Sequence, residues 1–266
     1  MTQSGTESGP AHEPRARRLT LSRNRALVGD VAHFARQIPT FAVDRLVSFG
    51  ELAALRENAA PRISWTVLFL KSYSLVAADC RPLRQAYLRW PWPHLVEHSS
   101  SVARVAINRR DEMRDEDRLC WGRFIEPERR SLVELQQELD RYQREPIEDV
   151  FRRQVQHSKL PRPLRRLIWW INLNLAVQKR ARRLGTFSMS ALAGQAAWNR
   201  SHPSILTTSL TYGPLDERGR MLVTLICDHR VLDGALAARA LAQLETALCG
   251  PIAQELAALS AGRAAA

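Results

Sequence analysis

A histidine flanked by carboxylates stands out late in the chain, in Asp228-His229-Arg230-Val231-Leu232-Asp233-Gly234. A neutral imidazole can take a proton from a thiol, hydroxyl or amine near pH 7, which is the work of a general base. The carboxylates can fix the turn that carries it, and Gly234 stands where the backbone must turn tightly. The apolar run 221–227 before the motif reads as a buried strand, and 235–248 after it as a helix with apolar residues at helical spacing. His229 therefore falls just past a strand end, where a scaffold can hold a side chain rigidly and still expose it. A histidine in such a place can equally be packed, hydrogen-bonded and inert.

The other histidines have no motif around them. His12 lies in a polar leader, and His33, His94, His98, His157 and His202 read as surface or packing residues. No GxSxG elbow is present, which argues against a serine hydrolase. The four cysteines, Cys80, Cys120, Cys227 and Cys249, are widely spaced and include no CxxC. That excludes a zinc knuckle or disulfide framework and fits a reducing cytoplasm. No metal site is expected.

The elements that must position His229 follow from the pattern of 266 residues, 45% hydrophobic and 25% charged. Residues 1–18 are polar, rich in Gly, Pro and Ser, and read as a disordered tail. Residues 19–266 read as one domain. A helix starts at Ser22 and is stopped by Pro39. A strand is expected at 40–47, a short helix at 49–56 and a strongly apolar helix at 63–78. Residues 82–93, with RWPWP, read as loop. Strands at 101–107 and 119–125 are expected to pair across a charged turn, followed by a helix at 132–142. Strands at 205–212 and 221–227 precede the final helices. No apolar run is long enough to span a bilayer.

The formal charge is +12. Only Lys71, Lys159 and Lys179 are lysines among the 39 basic residues, so 36 are arginine. Such a field attracts anions, whether lipid, nucleic acid or a phosphorylated cofactor. An arginine-rich proteome alone would also give this bias. No zinc-finger spacing, RNP aromatics or GXXG loop supports nucleic-acid binding.

DHRVLDG resembles the active-site signature of chloramphenicol acetyltransferase-like enzymes. Its flanks, with the following ALAAR, look most like the catalytic domain of dihydrolipoyl acyltransferases. Two further stretches carry the same resemblance in the same order. SRNRALVGDVAHFARQIPTF is similar to the family's first helix, and Gly185-Thr-Phe-Ser-Met-Ser190 to its serine-bearing strand. Together they cover residues 22–248.

The resemblance implies an α/β two-layer sandwich of the chloramphenicol acetyltransferase type, with a mixed or mostly antiparallel sheet packed by helices. It implies that His229 is the base and Ser190 the oxyanion donor. It implies that Asp233 pairs with Arg25 to hold the loop, with Asp228 also fixing it. The family's enzymes are homotrimers with the site between subunits. The donor would be an acyl-coenzyme A or acyl-carrier thioester serving as co-substrate, with no cofactor bound permanently. Neither a lipoyl nor a subunit-binding segment precedes the matched region, so a freestanding cytoplasmic acyltransferase is expected. A catalytically inactive trimeric scaffold of the same fold is the alternative, as is a membrane-surface binding protein.

Two departures qualify the resemblance. ALAGQAAWNRSHP replaces the family's Asn-x-Gly loop after the serine. Residues 144–184 insert a basic segment with Trp169 and Trp170 at its apolar middle. It can pack the core or a subunit interface. It can close an acyl-chain pocket lined by Trp169, Trp170 and Leu173. It can also lie on an anionic membrane surface.

Overall fold

The computed structural model describes residues 16–111 and 115–264. The expected tail falls outside them for residues 1–15, as does His12; residues 16–18 are exposed coil. Ser22 caps the first helix, α1 (Arg23–Ala35), by accepting from the Arg25 amide. β1 (Thr40–Ser48), α2 (Gly50–Asn58) and α3 (Trp65–Asp79) follow. Then come β2 (Gln85–Leu88), β3 (His94–Glu97), β4 (Val102–Asp111), β5 (Glu116–Ile125) and α4 (Leu132–Arg144). The insertion is α5 (Ile147–Val150), α6 (Arg152–Ser158), α7 (Arg162–Asn174) and α8 (Val177–Leu184). β6 (Phe187–Met189), β7 (Thr208–Tyr212), β8 (Arg220–Asp228), α9 (Gly234–Ala247) and α10 (Ala253–Ala264) complete the chain.

Six strands form one sheet in the order β1-β8-β7-β6-β4-β5. β6 runs parallel to both β4 and β7, and the other pairs are antiparallel. This is the mixed sheet of the expected two-layer sandwich. The helical layer centres on α3, whose apolar residues are buried nearly all round. Phe69 stacks on Tyr212 at 4.4 Å, Tyr73 packs on Phe187 at 4.6 Å, and the Tyr73 hydroxyl donates to Thr208 at 2.7 Å. The inward residues of β8, Met221, Val223, Leu225 and Cys227, complete this core. Burial pushes the Cys227 thiol up to about 12, so it behaves as a small apolar group there.

Two expectations need correction. Residues 82–93 are not all loop: β2 pairs with β3 as a hairpin, and its Ala86 and Leu88 are buried. The prolines that suggested loop are confined to the turn. Gly234, expected at a forced tight turn, has no left-handed backbone, and a Cβ there would meet nothing within 4 Å. A constrained glycine near the site is Gly185, with φ of 101° and Arg104 Cγ only 2.8 Å from where a Cβ would stand. It lets the chain pass from α8 into β6 against β4.

Among the described residues no helix is long and apolar enough to cross a membrane.

Candidate active site

The turn after β8 is built by its own residues. The Asp228 carboxylate, 4% exposed as a residue, accepts from the Arg230 backbone amide at 3.0 Å. It also takes a two-pronged bond from the Arg230 guanidinium, at 2.9 and 2.7 Å. Such fork-to-carboxylate pairing fixes direction as well as distance. The Arg230 guanidinium lies over the Tyr87 ring, 4.3 Å from its centre, so the β2–β3 hairpin braces the turn.

His229 is exposed on this turn. Its backbone amide donates to Pro39 at 2.9 Å, tying it to the start of β1. Its ring packs on Phe41 at 4.7 Å. Nδ1 lies 3.0 Å from the Leu232 carbonyl oxygen. A carbonyl can only accept, so Nδ1 carries the proton and Nε2 presents its lone pair. Nε2 has no protein partner among the described residues. That is the tautomer a general base at Nε2 requires.

Asp233 is exposed and caps α9, accepting from the Leu236 amide at 2.7 Å. It does not pair with Arg25 within the chain. Arg25 is exposed in the first turn of α1, the turn whose Asn24 reaches the Asp117 carbonyl at β5. β5 is the sheet edge opposite β1 and β8, so the two residues belong to opposite sides of the molecule.

Ser190 follows β6, and its amide donates to the Leu210 carbonyl at 3.1 Å. The residue is half-buried, and its hydroxyl makes no hydrogen bond among the described residues. Beside it opens a groove of ≈ 380 Å³, whose lining includes Thr66, Val105, Asn108, Leu139, Met189 and Ala191. Nearby, Ser188 donates to Ser209, and Ser209 lies 2.7 Å from His202 Nε2. This chain ties the loop 191–206 to the sheet; His202 is a half-buried bonding partner. Burial lowers its pKa.

The chain does not bring Ser190 and His229 together. Leu210, which receives the Ser190 amide, pairs with Leu225, four residues before His229. At strand spacing that is about 13 Å along the sheet and about 10 Å across two interstrand gaps. No single substrate carbonyl reaches both within one chain.

None of Trp169, Trp170 and Leu173 lines the groove beside Ser190. Trp169 packs on Phe34 at 6.4 Å and His157 at 5.9 Å, and Trp170 meets Trp90 at 6.4 Å. Within the chain, Trp169 and Trp170 pack α7 on α1, α6 and the hairpin.

One buried cation had no signal in the sequence. Arg180 of α8 is 4% exposed, and its Nε and Nη1 have no partner among the described residues. Burial pulls its pKa down to about 10; Asp228 opposes that shift and Arg230 adds to it. His98, after β3, feels burial and then Arg180, and is held neutral down to about 4. In an arginine-rich segment, nothing marks Arg180 as the one turned inward toward Asp228. No cluster of His, Cys, Asp or Glu able to hold a metal occurs among the described residues.

With this geometry in view, the solved structures can be compared. A probable dihydrolipoamide acetyltransferase from Listeria monocytogenes superposes with a TM-score of 0.65 at 14% identity, over 88% of this chain and 94% of that one. The fold is that of the dihydrolipoamide acetyltransferase catalytic core. The cubic core of a pyruvate dehydrogenase multienzyme complex also matches, with a TM-score of 0.65 at 14% identity over 94% and 100%. The Azotobacter vinelandii dihydrolipoamide acetyltransferase gives 0.64 at 16% identity over 94% and 100%. Its catalytic mechanism was examined at a serine, a histidine and an asparagine. No family profile and no curated relative matches the chain. In this core fold, α6 of the inserted segment is tied to β5 through Gln154, and α8, which carries Arg180, is anchored to β4. Arg104 of β4 donates to the carbonyls of Leu184, at 3.2 Å, and Arg183.

Proposed function

We propose that the protein is an acyltransferase that moves an acyl group from a coenzyme A or acyl-carrier thioester to a thiol, hydroxyl or amine acceptor. The observation that carries this reading is the fixed tautomer of His229, with Nε2 free and exposed at a strand end. Nε2 takes the acceptor proton as the acceptor attacks the thioester carbonyl. The resulting oxyanion accepts a hydrogen bond from Ser190. Collapse breaks the carbon–sulfur bond, and the leaving thiolate takes the proton back from the imidazolium. The products are the acylated acceptor and a free thiol.

The separation of Ser190 from His229 supports a homotrimer in which one subunit supplies the base and its neighbour the oxyanion donor. The groove beside Ser190 supplies room for the thioester arm, and the +12 charge attracts the phosphates of coenzyme A. Nothing in the reaction calls for a resident cofactor.

The test is to incubate the purified protein with acyl-coenzyme A donors of graded length, acyl-carrier thioesters and a panel of acceptors, following free thiol. Acceptor-dependent thiol release that disappears in His229→Ala is expected. Release that survives that substitution unchanged, or no release with any donor, overturns the reading.

A further inference from the structure

Helix α7 is built inside out. Its two most buried residues are polar: Arg165 at 7% and Asn172 at 8% exposure. Arg165 Nε donates to Asp30, itself 2% exposed, at 2.7 Å, and Arg166 Nε donates to the other oxygen at 3.2 Å. Asn172 accepts from Arg183 at 2.9 Å. The opposite face carries Leu164, Leu167, Ile171 and the C-cap Leu175, at spacings of three and four residues, exposed between 36 and 51%. Turning the helix over would bury these leucines only by breaking the Asp30 pairs, which leaves a buried carboxylate alone. The apolar stripe therefore faces outward by construction.

The β2–β3 hairpin widens the stripe. Trp90 touches Trp170 of α7, and Trp90 and Trp92 are 51 and 68% exposed. Scattered surface leucines need no explanation, but six large apolar side chains grouped on adjacent elements do. The surrounding charge indicates the partner. Residues 152–184 contain no Asp or Glu, and seven of their ten Lys or Arg are exposed. A symmetric contact between two copies of this face would set those cations against each other. A surface of phosphate headgroups answers both halves of the pattern.

We propose that the outer face of α7, with the tryptophan-bearing tip of the β2–β3 hairpin, docks the protein on an anionic phospholipid surface. The leucines and tryptophans enter the boundary between headgroups and acyl chains, and the flanking arginines meet the phosphates. The α7 helix lies in the plane of the surface, since no described helix can span it. The same surface would lie near the His229 turn. Phe34, against which Trp169 packs, is in the helix leading to Pro39, whose carbonyl holds the His229 amide. The inference stands apart from the acyl-transfer reading, because its test involves no catalysis.

The experiment is co-sedimentation of the whole chain with vesicles of phosphatidylglycerol and phosphatidylcholine, beside vesicles of phosphatidylcholine alone. Binding to the anionic vesicles is expected, at least about tenfold weaker without phosphatidylglycerol. Leu167→Glu with Ile171→Glu should weaken anionic binding by about tenfold or more, as should Trp92→Ser made separately on the hairpin. All these positions are exposed, and circular dichroism checks that each variant is folded. Failure of the wild type to pellet with anionic vesicles overturns the proposal, as does unchanged binding by both variants. A fall in oligomer mass in the leucine variant without loss of vesicle binding also overturns it, and makes the face a subunit contact.

Discussion

The two ends of the sheet are finished to different degrees. At the His229 end, the turn is closed by Asp228, Arg230, Leu232 and Tyr87, and the imidazole is held in one tautomer. At the Ser190 end, the hydroxyl makes no hydrogen bond among the described residues, and a groove lined by its neighbours Met189 and Ala191 opens beside it. On the proposed acyl-transfer reading, the difference follows from two tasks. A base must be fixed in tautomer and direction before the substrate arrives, and short-range bonds within seven residues can do that. An oxyanion donor needs only a position, which β6 gives it, and a space that admits the substrate. On that reading each end serves its own step, and neither is a whole site.

Substitutions sharpen this contrast. His229→Ala should lower kcat by about 10²–10⁴-fold with the fold retained, as for loss of a general base. Ser190→Ala should cost less, about 10²-fold, as for one oxyanion donor. Thiol-release kinetics check both, and a larger loss at Ser190 would reverse the ranking of the two ends. Asp228→Asn should act on the turn. It removes the charge that balances Arg230 and the buried Arg180, so stability should fall by about 1–3 kcal/mol. Denaturant melts and the accompanying drop in kcat measure it.

The pH response tests the same region. His98 is held at about 4, against an ordinary value of 6.5, by burial and then by Arg180. Between those values the unfolded chain binds a proton that the folded chain refuses. Stability should therefore fall as pH drops from about 6.5 to about 4, and be indifferent to this group above that window. His157 and His202, lowered by burial, act in the same direction. Thermal melts of His98→Gln should show a shallower acid loss than wild type; an identical slope would remove His98 from the account. The smallest effects concern the loop charges. Asp233→Ala should cost about 1 kcal/mol through the lost helix cap. Arg25→Ala, at an exposed residue with no ion pair among the described residues, should change stability by no more than about 0.5 kcal/mol. An equal cost for the two would mean that they pair between subunits.

Much of this was legible in the sequence, for identifiable reasons. The β8–turn–α9 unit is local: an apolar strand, a seven-residue turn and an amphipathic helix, each with its own periodic signal. The strands β4 and β5 announced themselves by alternation. The β2–β3 hairpin was hidden because Pro91 and Pro93 speak for loop while only Ala86 and Leu88 speak for strand. The orientation of α7 could not be read, because ordinary patterning puts leucines inside, whereas Asp30, far away in sequence, draws Arg165 and Arg166 inward. Arg180 was lost among its neighbouring arginines for the same long-range reason. The Arg25–Asp233 pair was carried by resemblance alone, and the strand order separates its members within one chain.

The central claim is that a working site takes its base from one subunit and its oxyanion donor from the next. Co-expression of His229→Ala and Ser190→Ala chains under separate tags, followed by isolation of the mixed assemblies, tests it most directly. Each variant alone should be nearly inactive. Each mixed trimer then holds one junction at which an intact base meets an intact donor, so about one third of wild-type activity should return. Mixed assemblies no more active than the separate variants would contradict the claim and place the whole reaction within one chain.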